Sequence, residues 1–242
     1  VGSAPDSTYI VNGVDVSSVD KYPWIVGLYF NGNSLPFCGG VLLNTNTVLT
    51  AGHCTVGQSA SNIQVVAHRL DLRQSPQSEN AAIFNVVSLR THPGFDSSNG
   101  WSIRNDIGIL KVSLVSGVAP TNQIILDRGG LTSPGTYLVT AGWGRTSFNG
   151  PQSPILKETT VPITTNDVCY SAYPPLQSNP TSFCAGYDDG HTDACNGDSG
   201  GPLFQPQGNS AVLVGLVSSG FECARPNKPG VYTKISSLLN WI

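Results

Sequence analysis

Apolar residues along this chain gather in short runs separated by Asn, Gly, Ser and Pro. The first series is Trp24 to Phe30, Phe37 to Leu43 with Val48-Leu49 behind it, Ile63 to Ala67, Ile83 to Leu89 and Ile107 to Val112, with turn signals such as Asn31-Gly32-Asn33. A composition shift at Ser113 to Asn122 reads as a connector. A second series follows: Tyr137 to Ala141, Lys157 to Ile163, Thr181 to Ala185, Leu203-Phe204, Ala211 to Val217 and Gly230 to Ile235. Many short strands with regular turn signals predict an all-β barrel or sandwich rather than alternating strands and helices. Only Ser236 to Ile242 has an apolar spacing suited to a helix, a short C-terminal one, and its abrupt stop leads us to expect a few further residues. Val1 to Tyr9 are small and polar without an apolar period and read as a flexible leader.

At 242 residues the chain is long enough for one or two domains with a sizeable core. Charged residues make up 11%, while 27 Gly and 17 Pro argue against long helices. A net charge of −3 with scattered Lys and Arg gives no footprint for nucleic acid. Apolar runs such as Ala211 to Val217 are far too short to span a bilayer as a helix. No nucleic-acid or membrane partner is expected. The six cysteines allow fifteen connectivities, and the absence of a Cys-x-x-Cys pair or a His/Cys cluster favours disulfides over zinc or redox work. Disulfides place the protein outside the reducing cytosol. With no signal peptide and no Met, the expected form is a secreted chain already processed.

Three stretches carry candidate chemistry. Asp193-Ala194-Cys195-Asn196-Gly197-Asp198-Ser199-Gly200-Gly201-Pro202 surrounds one serine with glycines, which can present its hydroxyl and turn several N–H groups toward one point. Leu49 to Cys54 places His53 at the end of an apolar run beside a half-cystine, and Asn105 to Leu110 puts Asp106 at the mouth of another. Each alone has a plainer reading: a turn, a structural histidine, a strand-end cap. Together they supply a nucleophile, a base and a carboxylate that fixes the base's tautomer, as acyl transfer to a hydroxyl requires.

With Ile10-Val11-Asn12-Gly13, Cys38-Gly39-Gly40, Ala141-Gly142-Trp143-Gly144, Phe183-Cys184-Ala185-Gly186 and Pro229-Gly230-Val231-Tyr232 added in order, the chain resembles a trypsin-like serine protease of the chymotrypsin family from Ile10 to its C-terminus. The resemblance implies two packed six-stranded antiparallel Greek-key barrels, 10–118 and 119–242, preceded by a leader-like segment 1–9, with the site in the cleft between the barrels. It implies disulfides Cys38–Cys54, Cys169–Cys184 and Cys195–Cys223. Ser199 is then the nucleophile, His53 the general base and acid, and Asp106 its orienting carboxylate. The N–H groups of Gly197 and Ser199 form the oxyanion hole, and Ser218 lines the cleft near Asp106. Cleavage before Ile10 would free an ammonium to pair with Asp198 and order the site. Tyr9 stands where a basic residue commonly precedes that cut, so another protease is expected to make it.

The resemblance implies that Asp193, six residues before Ser199, lies at the base of the primary pocket, with Gly220 and Gly230 as walls that admit a long side chain. A buried carboxylate calls for a cationic partner, so substrates cut after Arg or Lys are expected. Ala194 stands where trypsins often have Ser, which favours Arg over Lys. Ser219 stands where the family usually has Trp, which weakens apolar contact with residues ahead of the cleaved bond. The stretch about His68 to Asn80 contains Arg69, Asp71, Arg73 and Glu79, a poor cage for calcium, so no metal and no cofactor are expected. His68, His92 and His191 read as surface or turn residues, Asp188 and Asp189 as a solvated acidic turn, and the proline in Asn179-Pro180-Thr181 removes the N-glycosylation signal. The expected partners of this monomer are protein or peptide substrates with Arg or Lys, and protein protease inhibitors. The competing expectation is an uncleaved zymogen or a protease-fold binding or decoy protein with little activity. A lipase or esterase using the same triad chemistry is a weak third reading, since the nucleophile elbow and the chain order Ser, acid, His are both missing.

Overall fold

The computed structural model describes residues 13–121, 124–145, 150–190, 197–208, 210–220 and 224–242. Its first sheet is a closed antiparallel barrel of β2 (Ile25–Phe30), β3 (Cys38–Asn44), β4 (Thr47–Thr50), β5 (Ile63–Ala67), β6 (Ala82–Thr91) and β7 (Gly108–Ser116), paired in the order β2-β3-β4-β7-β6-β5. Closure removes every unpaired strand edge and turns Val26, Leu28, Val41, Leu49, Val65, Phe84 and Leu110 into a common core.

The remaining strands are β1 (Val14–Asp15), β8 (Ile124–Leu126), β9 (Tyr137–Gly142), β10 (Lys157–Pro162), β11 (Ser182–Ala185), β12 (Pro202–Gln207), β13 (Ser210–Ser219) and β14 (Gly230–Lys234). They do not form the second six-stranded barrel expected from the resemblance. They make one open eight-stranded sheet in the order β1-β10-β9-β12-β13-β14-β11, with β8 joined in parallel to β13. Two features account for this. Between β10 and β11, where a barrel would close, the ladder shrinks to the single bridge Ile163↔Ala185, next to Pro162, which has no N–H to donate. At the other end β1 adds to β10 through Val14↔Glu158 and Asp15↔Lys157, so the chain ahead of the barrel is laid on the second sheet.

The helix also differs from expectation. Ile235–Ser237 form one 3-10 turn without a side-chain N-cap, and Leu238, Leu239, Trp241 and Ile242 pack against the first core instead of continuing a helix. Among the described residues the α-helix is α1 (Asn166–Ala172). Thr165 caps it by accepting from Val168 N, Asp167 suits its first turn, and Pro174 follows its end. Seven residues are too few to show a helical period in the sequence.

The two sheets share a core. Ala141, Phe204, Leu213 and Leu216 join the barrel's cluster, and Phe204 meets Trp24 and Tyr22 edge-on at 4.7 and 5.0 Å between ring centroids. A smaller cluster of Leu138, Val161, Leu203, Val214 and Tyr232 fills the second sheet. No helix among the described residues is long and apolar enough to cross a membrane.

Candidate functional site

Register brings the first two candidates together. β4 pairs antiparallel with β7 from Thr47↔Lys111 to Thr50↔Gly108, so the residues just after β4 and just before β7 emerge at the same end of the barrel. His53 lies in the 3-10 turn Gly52–Cys54 that follows β4, and Asp106 lies two residues ahead of Gly108. The turn delivering Asp106 uses Asn105 in the left-handed region at φ 49°, held by Asn105 N donating to Thr181 Oγ1 and Asn105 Nδ2 to Gly94 O. Asn tolerates that conformation better than most residues, a role the sequence reading did not assign it.

Asp106 is the most heavily bonded carboxylate of the site. Its Oδ2 lies 2.8 Å from His53 Nδ1 and accepts from Ser218 Oγ at 2.6 Å, while Oδ1 accepts from His53 N at 2.8 Å. Its main-chain carbonyl accepts from Thr233 Oγ1. The carboxylate side chain is fully buried, whereas the imidazole keeps 27% of its surface exposed. A buried carboxylate with three donors holds Nδ1 as the protonated nitrogen and leaves Nε2 facing the open side as a proton acceptor.

Ser199 reaches this pair from the second sheet through its main chain. Its carbonyl accepts from Gly39 N at 2.8 Å and lies 3.7 Å from Cys54 Sγ, so the serine turn is seated on the Cys38–Cys54 disulfide beside His53. Its hydroxyl is not hydrogen-bonded to His53 in this structure, and such bonds commonly tighten only with substrate in place. Gly200 makes the seating possible. It has φ +79°, and a Cβ there would lie 2.2 Å from Thr50 Oγ1. Gly197 also has positive φ, +100°.

Asp198 is buried behind the serine, with Oδ1 accepting from Gly144 N at 2.8 Å and its carbonyl accepting from Gly201 N at 2.7 Å. A Cβ on Gly144 would stand 2.1 Å from Asp198 Oδ2, so only glycine lets the carboxylate lie there. Of the residues expected to line a substrate pocket, Ser218 is buried in β13, Gly220 follows that strand half-buried, and Gly230 opens β14 opposite Ala185. Cys169–Cys184 ties α1 to β11. Asp193, Ala194, Ile10 and the expected Cys195–Cys223 pair lie outside the described residues, as does His191. Cys38, His53 and Cys54 bring three potential metal-binding atoms within 4.8 Å, but both sulfurs are consumed in the disulfide.

Comparison with known proteins agrees with this arrangement. The chain matches the family model described as Trypsin over residues 10–242. It is 37% identical to Trypsin-1 of Astacus astacus over 96% of this chain and 98% of that protein. It is 35% identical to a trypsin of Saccharopolyspora erythraea over 94% of each. It is also 37% identical to Serine protease 56 of Mus musculus, of which it spans 38%. A histidine held by a buried aspartate beside a glycine-bedded serine, on a chain matched to this family along nearly its whole length, identifies it as a member of the trypsin family: a serine endopeptidase of the chymotrypsin type.

Proposed function

We propose that this endopeptidase cuts peptide bonds after Arg, and less readily after Lys, with Ser199, His53 and Asp106 as its catalytic residues. The observation that carries the reading is the Asp106 carboxylate binding His53 at both main chain and Nδ1 while Ser218 holds its second oxygen. Ser199 Oγ attacks the scissile carbonyl as its proton passes to His53 Nε2, and the imidazolium is stabilised by Asp106. The oxyanion takes hydrogen bonds from the N–H groups of Gly197 and Ser199. The C–N bond then breaks as His53 Nε2 returns the proton to the leaving amine. A water molecule, deprotonated by the same nitrogen, hydrolyses the acyl-enzyme and regenerates Ser199.

In this reading Asp193 pairs with the basic side chain of the substrate between Gly220 and Gly230. Ala194 supplies no hydroxyl for an ammonium, whereas a guanidinium can fork directly onto a carboxylate. The leader 1–9 is removed, the ammonium of Ile10 pairs with Asp198, and the chain divides into units 10–118 and 119–242. Two disulfides among the described residues support a working place outside the cytosol, as a secreted monomer open to protein inhibitors.

Hydrolysis of matched Arg, Lys and Phe peptide amides before and after controlled cleavage at Tyr9–Ile10 tests the reading. Arg turnover that appears or rises steeply on cleavage, with Lys slower and Phe inert, is the expected result. Equal Arg and Lys rates would remove the role given to Ala194. No turnover of any amide after verified cleavage would favour a binding or decoy protein.

A further inference from the structure

His92 directly follows β6 and stands beside the turn that carries Asp106. Its N–H donates to Ile107 O at 3.0 Å, and its carbonyl accepts from Phe95 N at 2.9 Å, so its main chain is paired with the residue after Asp106. The half-buried ring packs on Trp241, with centroids 5.0 Å apart. Nδ1 accepts from Gly94 N at 3.0 Å, which places the proton of the neutral ring on Nε2. A histidine at a strand end is usually a surface or packing residue. This one begins a chain of hydrogen bonds that reaches the turn of Asp106.

The next link is Gly94 O, which accepts from Asn105 Nδ2 at 2.8 Å. Asn105, at φ 49°, sets the direction in which the chain enters Asp106, and its own N–H donates to Thr181 Oγ1 on the opposite side. A Cβ on Gly94 would stand 2.9 Å from Asn105 Nδ2 and 3.4 Å from His92 Nδ1, so glycine lets both side chains close on one peptide. Protonation at Nδ1 would turn that nitrogen from acceptor to donor. Two donors would then face each other, the Gly94 peptide would be pushed away, and the Asn105 amide would lose its anchor.

The charged groups around His92 are few. Its own hairpin brings Arg90, whose guanidinium lies 5.7 Å from the centroid of the Trp241 ring, and Asp96, whose carboxylate accepts from Ser98 N. The turn before β7 brings Arg104, bonded to Ser178 O, and Asp106, whose carboxylate is engaged by His53 and Ser218. The segment 235–242, which supplies Trp241, has no charged side chain. Burial lowers the His92 pKa from its ordinary value, and no carboxylate among the described residues pairs with the ring to oppose this.

We infer that His92 is a positioning residue for the hydrolytic reaction: the neutral ring holds the Gly94 peptide, and through it Asn105, in the arrangement that aims Asp106 at His53, and its protonation lowers turnover independently of His53. The inference rests on the assignment of Ser199, His53 and Asp106 given above. Losing one hydrogen bond of the chain should lower kcat roughly three- to tenfold with KM kept.

The test compares kcat per titrated active site for the cleaved full chain and two variants on one arginyl amide, from about pH 4 to pH 8. His92→Asn keeps an oxygen that can accept from Gly94 N, as Asp96 Oδ1 does from Ser98 N, and does not titrate. The ratio of native kcat to that of His92→Asn should be near one at the alkaline end and fall three- to tenfold on acidification. Its midpoint should match the titration of the His92 ring followed by NMR. His92→Leu, which has no acceptor, should be three- to tenfold slower at the alkaline end with KM unchanged. Counting only titrated sites cancels any loss of folded protein. A native-to-Asn ratio that does not change with pH, a midpoint away from that of His92, or a native kcat in His92→Leu overturns the inference while leaving the catalytic assignment standing. If the native enzyme hydrolyses no arginyl amide at any pH, both fall.

Discussion

Arg69 Nε donates to Glu79 Oε2 at 2.5 Å, and the same guanidinium reaches the carbonyls of Asp71 and Gln74 through Nη2. The other Glu79 oxygen accepts from the N–H groups of Leu70 and Asp71. The loop between β5 and β6 is thus wound around a side chain of its own that carries the positive charge at its centre, with the two side chains only 5% and 11% exposed. Removing one partner leaves the other charge buried. Arg69→Gln should therefore cost about 3–5 kcal/mol of unfolding free energy, read from urea denaturation. The double change Arg69→Met with Glu79→Leu should cost less than Glu79→Leu alone, because no uncompensated charge remains.

Asp106 receives three hydrogen bonds, and their removal should be graded in rate. Asp106→Asn offers an amide donor where His53 Nδ1–H needs an acceptor, favours the wrong tautomer, and should lower kcat by about 10⁴. Ser218→Ala removes a single donor to Oδ2 and should cost on the order of tenfold. Single-turnover kinetics with an arginyl amide separates the two. Equal losses would mean that Ser218 does more than hold the carboxylate.

The same residues show what could be read from sequence. His53, Asp106 and Ser199 each sit in a local motif of glycines, half-cystines or apolar strand residues, so a linear reading can name them. The meeting of His53 and Asp106 depends on the pairing of Thr50 with Gly108, and the seating of Ser199 on its carbonyl accepting from Gly39 N, neither of which a local pattern states. The open second sheet was hidden for a related reason: strand runs say nothing of whether β10 and β11 exchange a full ladder or the lone Ile163↔Ala185 bridge. Arg69 and Glu79 could be seen as a poor cation cage, but the inward turn of the guanidinium needs the folded loop. The hydrogen bond from Ser219 to Trp101 spans 118 residues, and no local pattern indicates it.

Gly144 should tolerate no side chain. A Cβ 2.1 Å from Asp198 Oδ2 pushes the carboxylate, and with it the adjoining Ser199 turn, out of place. Displacements of about 1 Å at a reacting group cost roughly a hundredfold in rate, and Gly144→Ala should lose at least that in kcat/KM. Loss of activity with the cooperative thermal transition retained is the expected outcome. Full activity would show that Asp198 can be held elsewhere.

Alkaline pH should weaken the fold through Tyr29. Burial, with a smaller contribution from Glu79 set against Arg69, pushes its phenol from 10.0 up to about 12. Below pH 10 both folded and unfolded chains keep the proton and the group is neutral to stability. Above it the unfolded chain ionises first, so stability falls until the folded-state value is passed near pH 12. At about 1.4 kcal/mol per unit the loss is on the order of 3 kcal/mol. Tyr22, raised by burial and by its bond to Glu158, acts in the same direction. The Tyr29 hydroxyl is buried without a hydrogen-bond partner among the described residues. Tyr29→Phe should therefore be neutral or slightly stabilising at pH 7 and should shallow the alkaline slope of urea unfolding.

In the proposed reaction Ser199 forms the acyl bond. Its most direct test is to quench the cleaved enzyme during reaction with a slowly deacylating ester of a guanidino-substituted acid and to map the adduct by peptide mass spectrometry. One acyl group per active molecule is expected on the peptide containing Ser199, formed in a burst that Asp106→Asn slows and Ser199→Ala abolishes. A stoichiometric adduct on another residue, or turnover with no adduct at all, would contradict it.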